Sequence, residues 1–203
     1  MTEWTETAAP RAPLTRYNAV AMSLHWAIAA LLIANIALAW SFNTLPRAAQ
    51  IAPIQLHKSF GITILIRSLA RLGWRLFSPP PPLPASLAGW GRWAAGAVYV
   101  LFYVVMIGMP LSGWAMVSAS RLIHVFPIRL YGLVTWPTIG PLAALPQAQM
   151  HTAHEAFWTT HQLLAKLAYA LIVLHVAAAL RHWLIRRDDV AARMIPFLKA
   201  RAT

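Results

Sequence analysis

Two histidines, His161 and His175, lie fourteen residues apart inside one apolar stretch of the 203-residue chain. A helix rises about 1.5 Å and turns roughly 100° per residue, so this interval moves the second imidazole about 21 Å along the axis and returns it to within about 40° of the first. Both rings face one way at two depths. Two more histidines, His25 and His57, lie on other apolar segments and can meet them. Four inward imidazoles in a chain with no cysteine and five acids have the donor chemistry of axial ligands to two stacked b-type haems. The lack of cysteine excludes thiolate ligation, iron–sulfur clusters, disulfides and covalent C-x-x-C-H attachment. Any haem is therefore held non-covalently. Two imidazoles per iron leave no open position, so such a site moves single electrons and does not bind oxygen.

Depth selects among the histidines. His154, His161, His175 and His182 all fall on a seven-residue grid, so helix face alone does not separate them. Pairing His154 with His175, or His161 with His182, puts about 31 Å between ligands, which pushes one porphyrin into the headgroups. His161 and His175 instead sit symmetrically about Ala168, and both macrocycles stay in hydrocarbon.

The elements that position these rings follow from composition. Hydrophobic residues make up 59% of the chain and charged residues 11%, far from the average of a soluble globular protein. Apolar runs of roughly 18 to 25 residues can cross about 30 Å of hydrocarbon as helices. Lipid admits only helices or closed barrels, and these runs are too long and continuous for barrel strands. The expectation is an all-α protein: one membrane-embedded domain, 1–203, folded as a four-helix transmembrane bundle around two b-type haems. The helices are expected at about 17–40, 57–77, 90–117 and 154–185. Pro79 to Pro82 and Pro84 break any helix, since each ring fixes φ and removes a donor. Pro110 and Gly113 mark a kink in the third span. A connection of roughly 35 residues rich in Pro, Gly and aromatics precedes the fourth, and loops that long are often functional. The polar first nineteen residues lack a small-residue cleavage site, so a removable signal peptide is not expected.

Basic residues set the orientation. Arg11, Arg16, Arg67, Arg71, Arg75, Arg92, Arg181, Arg186, Arg187, Arg193, Lys199 and Arg201 fall on one side, against Arg47, Lys58, Arg121 and Arg129 on the other. By the positive-inside rule both termini and the proline-rich link are cytoplasmic. His25 then sits in the inner half and His57, which opens the second span, in the outer half. The pairing follows: His25 with His175, and His57 with His161. Nearly all of the formal charge of +12 falls at helix ends rather than on a soluble basic face, so nucleic-acid binding is not expected.

Other side chains carry weaker signals. Arg67, Arg71 and Arg75 recur every four residues on one helical face and suit haem propionates, although topology and snorkelling also explain them. Gly61, one turn after His57, allows a porphyrin edge or a neighbouring helix to approach. Trp26, Trp40, Trp74, Trp90, Trp93 and Trp183 read as an aromatic belt. His151 and His154 form an H-x-x-H with no third ligand nearby. The acids Glu3, Glu6, Glu155, Asp188 and Asp189 form no relay across the membrane, which argues against a proton pump.

These residues resemble the bacterial cytochrome b561 family of diheme, four-helix inner-membrane proteins over nearly the whole chain, from Arg16 to Pro196. The resemblance is carried by RYNAVAMSLHW around His25, LHKSFGITILIRSLARLGWRL from His57, MPLSGW from Met109, and HQLLAKLAYALIVLHVAAALRHWLIRRDDVAARMIP from His161. The last is the most specific. It implies haem ligands at His25, His57, His161 and His175, in agreement with the depth argument. One position departs: family members often have a histidine about one turn before the helix 3 tyrosine, where this chain has Tyr99. That histidine is not an expected haem ligand.

The resemblance further implies electron exchange with quinone, and some members are similar to superoxide oxidases that reduce ubiquinone. The leading expectation is a bacterial inner-membrane protein that takes an electron from superoxide or another outer-face donor at the His57/His161 haem. The inner haem then passes it to ubiquinone near His182, with Arg181, Trp183 and Asp188 completing that pocket. Lys58 and Arg47, with Arg121 and Arg129, focus a positive field for an anionic substrate; ordinary surface charge is the alternative. The runner-up is a quinol-linked electron carrier, or the cytochrome b anchor of a larger reductase or hydrogenase with a protein redox partner. A haem-free helical scaffold or transporter leaves the paired depths unexplained.

Overall fold

The computed structural model describes residues 16–82 and 89–198. The sequence readings at Glu3, Glu6, Arg11, Pro84, Lys199 and Arg201, and most of the segment weighed as a signal peptide, lie outside them. Four long helices dominate: α1 (Ala19–Ser41), α2 (Ile51–Phe77), α3 (Gly89–Ser118) and, after a one-turn α4 (Gly140–Ala143), α5 (Gln147–Leu180). A π-helical turn, Arg181–Arg186, prolongs α5. α1, α3 and α5 with its π turn are long and apolar enough to cross a membrane. α2 is as long, but Lys58, Arg67, Arg71 and Arg75 dilute its apolar character.

Two helices start earlier than the sequence suggests. α2 begins at Ile51, so His57 lies nearly two turns inside it instead of opening it. Pro53 falls in the first turn, where no intrahelical N–H is needed. α5 begins at Gln147, directly after Pro146, rather than near His154. Its first residues, QAQMHTAHEA, are good helix formers that looked like loop only because they are polar.

The connection between α3 and α5 is accordingly shorter than expected and is folded. It holds a 3-10 turn at Arg121–His124, a hairpin of β1 (Arg129–Leu130) and β2 (Val134–Thr135), and α4. Arg129 pairs with Thr135 and Leu130 with Val134. Tyr131 (φ 52°) and Gly132 (φ 75°) turn the hairpin in the left-handed region, as tight hairpins with right-handed strand twist require.

α1 packs along α2, α2 against α3, and α3 along α5. The α3–α5 seam is the best-packed contact, with Val105, Ala168 and Leu171 buried among Phe102, Met109, Leu164 and Leu167. Gly108 lets it close, since a Cβ there would sit 3.5 Å from Leu164 Cδ1. α1 and α5 make little direct contact. Rings bridge them instead, including a Trp40 Nε1 to Tyr169 hydroxyl bond of 3.3 Å.

Both ends are tied by hydrogen bonds between segments distant in sequence. At one, Asn18 caps α1 by accepting from Ala21 N at 2.9 Å and donates to Ser78 Oγ at 2.6 Å. The chain after α5 folds back over this end. Tyr17 N donates to Arg193 O at 3.2 Å, Trp26 Nε1 to Met194 O at 3.0 Å, and Arg193 to Pro82 O at 2.6 Å. Arg16 donates to the carbonyls of Pro196 and Leu198. At the other end Gln55 donates to Pro127 O at 2.9 Å, and Trp114 Nε1 to Pro137 O at 2.9 Å.

Ser59 holds the hairpin to α2. Its hydroxyl is fully buried, lies 2.9 Å from Gln55 O and 3.3 Å from Arg129 O, and accepts from Tyr131 N at 2.9 Å. Ser59→Ala leaves the Tyr131 N–H without that acceptor, a loss worth about 1–3 kcal/mol. Amide exchange at Tyr131 and Gly132 is expected to accelerate while exchange in the α3–α5 seam stays unchanged; unaltered protection at Tyr131 would contradict this role.

Candidate functional site

The bundle brings the four central histidines together as two cross-helix pairs. His25 on α1 faces His175 on α5 with ring centres 6.2 Å apart and planes at 67°. His57 on α2 faces His161 on α5 at 6.3 Å and 73°. Fourteen residues of α5 separate the pairs, about 21 Å along the axis. The gap between α1 and α5 is the space the first pair spans.

These separations suit a shared metal. A metal–imidazole nitrogen bond is about 2.0–2.1 Å and the ring centre lies roughly 1.1 Å beyond the nitrogen, so two rings on opposite sides of one metal have centres about 6.3 Å apart. Planes turned about a common axis can take any mutual angle, so 67° and 73° are compatible with it. Edge-on aromatic contact also falls within 4.5–7 Å, so the remaining hydrogen bonds carry the distinction.

In the His57/His161 pair, labelled outer after the orientation that the basic residues lead one to expect (His25/His175 being inner), both Nδ1 atoms meet backbone carbonyls. His57 Nδ1–H donates to Asn35 O at 3.2 Å, and His161 Nδ1–H donates to Met109 O at 3.0 Å. A carbonyl only accepts, so each proton sits on Nδ1 and each Nε2 keeps its lone pair for a metal. This is the usual arrangement behind a metal-bound histidine. Met109 O lies directly before Pro110, which falls inside α3. Ser112 Oγ donates to the same carbonyl at 2.8 Å and lies 3.2 Å from His161 Nδ1. Gly113 leaves room for the ring, since a Cβ there would stand 3.2 Å from His161 Cε1 and 3.3 Å from Nδ1. Phe42 closes the far side, 5.4 Å from the His57 ring.

The inner pair differs. Arg71 on α2 donates to His25 Nδ1 at 2.9 Å. A guanidinium only donates, so in this arrangement Nδ1 accepts and neutral His25 carries its proton on Nε2. Binding a metal through Nε2 would require that proton on Nδ1 and Arg71 turned toward another acceptor. His175 packs against Phe102 at 5.3 Å. One turn beyond Arg71, the Arg75 guanidinium lies over the Tyr99 ring, 4.1 Å from its centre, and Tyr99 stacks edge-on with Tyr103 at 4.9 Å. Arg67, one turn the other way, is exposed. The ring separation and Nδ1 bonds of the outer pair thus suit a haem iron as they stand, and those of the inner pair would suit one with Arg71 turned away.

At the inner end, His182 Nδ1 is bonded to Asp188 Oδ2 at 2.6 Å. The π-helical turn and Arg187, left-handed at φ 53°, bring the aspartate back to the histidine. Asp188 Oδ1 also accepts from Val190 N at 3.2 Å. Trp183 is half-buried and Arg181 exposed beside them. At the outer end, a cavity of about 230 Å³ is lined by Lys58 and His154 among apolar side chains including Ile54, Val117 and Phe126. His154 Nδ1–H donates to Met116 O at 3.0 Å. Arg47 opens the 3-10 turn before α2 and is exposed. Among the described residues no three of His, Cys, Asp or Glu cluster around a point, and His151 and His154 acquire no third ligand.

Sequence reasoning missed Asn35, Tyr103 and the Met109 carbonyl. Asn35 had a side-chain signal, as an amide within a 23-residue apolar helix, but it meets His57 through its backbone carbonyl, which leaves no signal of its own. The Met109 carbonyl had none beyond Pro110.

Comparison with known proteins gives a concordant result. Residues 16–197 match the family model described as prokaryotic cytochrome b561. Cytochrome b561 homolog 2 of Escherichia coli (strain K12) is 32% identical over 185 residues, covering 89% of this chain and 91% of that protein. A probable superoxide oxidase CybB of Yersinia pestis is 29% identical over 192 residues, covering 89% and 96%. Cytochrome b561 homolog 1 of Escherichia coli (strain K12) is 28% identical over 144 residues, covering 69% and 73%.

The α3 packing makes one position decisive. Gly113→Ala is expected to displace the His161 ring by a few tenths of an ångström and lengthen its bond to Met109 O. Nitrogen NMR of the histidine side chains checks this: the His161 resonances should move while those of His25 and His175 stay in place.

Proposed function

The chain belongs to the prokaryotic cytochrome b561 family, whose members bind b-type haem and transfer electrons across the membrane, and on that premise we propose a diheme superoxide:quinone oxidoreductase. One haem is held by His25 and His175, the other by His57 and His161. Electrons enter from superoxide at the outer face and leave to ubiquinone at the cytoplasmic end. Bacterial homologues are inner-membrane proteins; here both termini are cytoplasmic by the distribution of basic residues. The carrying observation is the pair of cross-helix imidazole contacts at 6.2 and 6.3 Å.

Bound haem supplies a one-electron carrier, its potential tuned by burial and by hydrogen bonds on the outer ring nitrogens. The chain does the rest. Asn35 O and Met109 O fix the tautomer and tilt of His57 and His161. Lys58 borders the outer cavity next in sequence to His57, and with Arg47 it offers positive charge to an arriving anion. At the other end Asp188 accepts from His182 Nδ1–H, and Nε2, when it too carries a proton, donates to a quinone carbonyl. Arg181 and Trp183 flank that position. The Yersinia pestis relative, named a probable superoxide oxidase, supports the choice of donor.

A second reading, the membrane anchor of a larger reductase, draws on Lys166. This residue lies on α5 between His161 and His175 in sequence and is exposed. A cation at mid-membrane depth is costly without a partner. Superoxide-dependent quinone reduction by the purified chain alone separates the two: turnover supports the oxidoreductase, and none without an added subunit supports the anchor.

Two further outcomes test the leading reading. His25→Ala and His175→Ala should each remove one haem and spare the other, read from the redox spectrum and haem per protein; loss of the other haem alone would overturn the pairing. The rate with superoxide should fall steeply between low and physiological salt, because exposed charges are screened beyond a Debye length of about 8–10 Å. A rate independent of salt would remove Lys58 and Arg47 from the steering role.

A further inference from the structure

Around the inner pair, two side chains are left with unmet polar atoms. The hydroxyl oxygens of Tyr99 and Tyr103 are buried and make no hydrogen bond of ordinary geometry. A buried hydroxyl without a partner costs on the order of 1–3 kcal/mol. Two together, four residues apart on one face of α3, with rings 4.9 Å apart, call for an acceptor that both can reach.

Their surroundings define its charge. The Arg75 guanidinium lies over the Tyr99 ring at 4.1 Å, and Arg71 stands one turn away on α2, bonded to His25. Phe102, next to Tyr103, touches the His175 ring. The tyrosines and arginines therefore line the α2–α3 side of the inner histidine pair, extending from its depth toward the end where Trp74 meets Asn18. Two phenol donors and two permanent cations make a carboxylate site. Asp188 is engaged by His182, and Glu155 lies near the start of α5.

Resting on the diheme reading, we propose that Tyr99, Tyr103 and Arg75, joined by Arg71 when it leaves His25, hold a propionate carboxylate of the inner haem. The phenols donate to the carboxylate oxygens and the guanidiniums balance its charge. The group that frees His25 Nδ1 from Arg71 thus brings the acceptor to which Arg71 turns. Tyr99, where family members often have histidine, acts here as a positioning residue for the cofactor.

The test uses purified holoprotein with Tyr99→Phe, Tyr103→Phe and the double change, each removing only an oxygen. Three quantities are read: haem transfer to an excess of apomyoglobin, the midpoint potential of each haem, and the Raman bending mode of the propionates. Loss of a hydrogen bond to a charged group should speed release of the inner haem roughly 10- to 100-fold. The inner potential should fall, because a less neutralised carboxylate favours ferric iron, and a propionate mode should shift. The outer haem should keep its potential and release rate.

Unchanged release, potential and propionate mode in variants with two haems would overturn the proposal while leaving the diheme reading intact. Equal disturbance of both haems would also overturn it, since the tyrosines would then act through the fold. Fewer than two haems in the unsubstituted protein would instead sink the diheme reading itself. If the double variant fails to assemble, the single variants carry the decision.

Discussion

The fold depends on holding imidazoles apart. α1 and α5 are joined by facing rings rather than by interdigitated side chains, and the packing of α1 on α2 and of α3 on α5 serves to keep those rings opposed. An ordinary bundle would close such a gap with Leu or Ile, because void left between helices forfeits dispersion and costs stability roughly in proportion to its volume. This chain instead puts Val105, Ala168 and Leu171 into one tight seam and gives the facing surfaces of α1 and α5 to histidine.

Polar groups in lipid must find partners inside the protein, and backbone carbonyls and the π-helical turn supply them. Pro110 lies inside α3, and the carbonyl just before it is the one that accepts from His161 and Ser112. The π-helical turn at the end of α5 has a similar role, bringing Asp188 back to His182. Gly113 belongs to the same economy of space, giving the His161 ring the volume a methyl would take. Each departure from regular helix lies beside a histidine singled out by its spacing.

Most of this architecture was legible because membranes enforce simple rules. Span length, the 3.6-residue period and the cost of buried polar groups single out His161 and His175 among four candidates on one seven-residue grid, and the structure sets their rings against those of His57 and His25 respectively. Helix starts were less legible, since Ile51–Leu56 and Gln147–Ala153 extend helices beyond the hydrocarbon, where hydropathy carries no signal. The partners of the histidines were least legible. Asn35 and Met109 act through backbone carbonyls, which any residue possesses, and Tyr99 and Tyr103 matter through a mutual geometry that spacing on one helix suggests but does not identify.

The two histidine pairs are electrostatically unequal, and the inequality has a direction. The outer rings rest on neutral carbonyls, whereas the inner pair has Arg71 within 2.9 Å of His25 and Arg75 one turn further on. A guanidinium keeps its charge at any ordinary pH, and inside a low-dielectric bundle its field is weakly screened. Positive charge near a redox centre favours its reduced form. Lys58 beside the outer pair acts in the same sense, but its side chain borders an open cavity at the bundle end, where water and salt weaken its field. A propionate at the arginines would neutralise part of the difference, and the phenols that share its charge would preserve the rest. With carriers at both pairs, the arginines of α2 would therefore favour an electron at the His25/His175 pair over one at the His57/His161 pair.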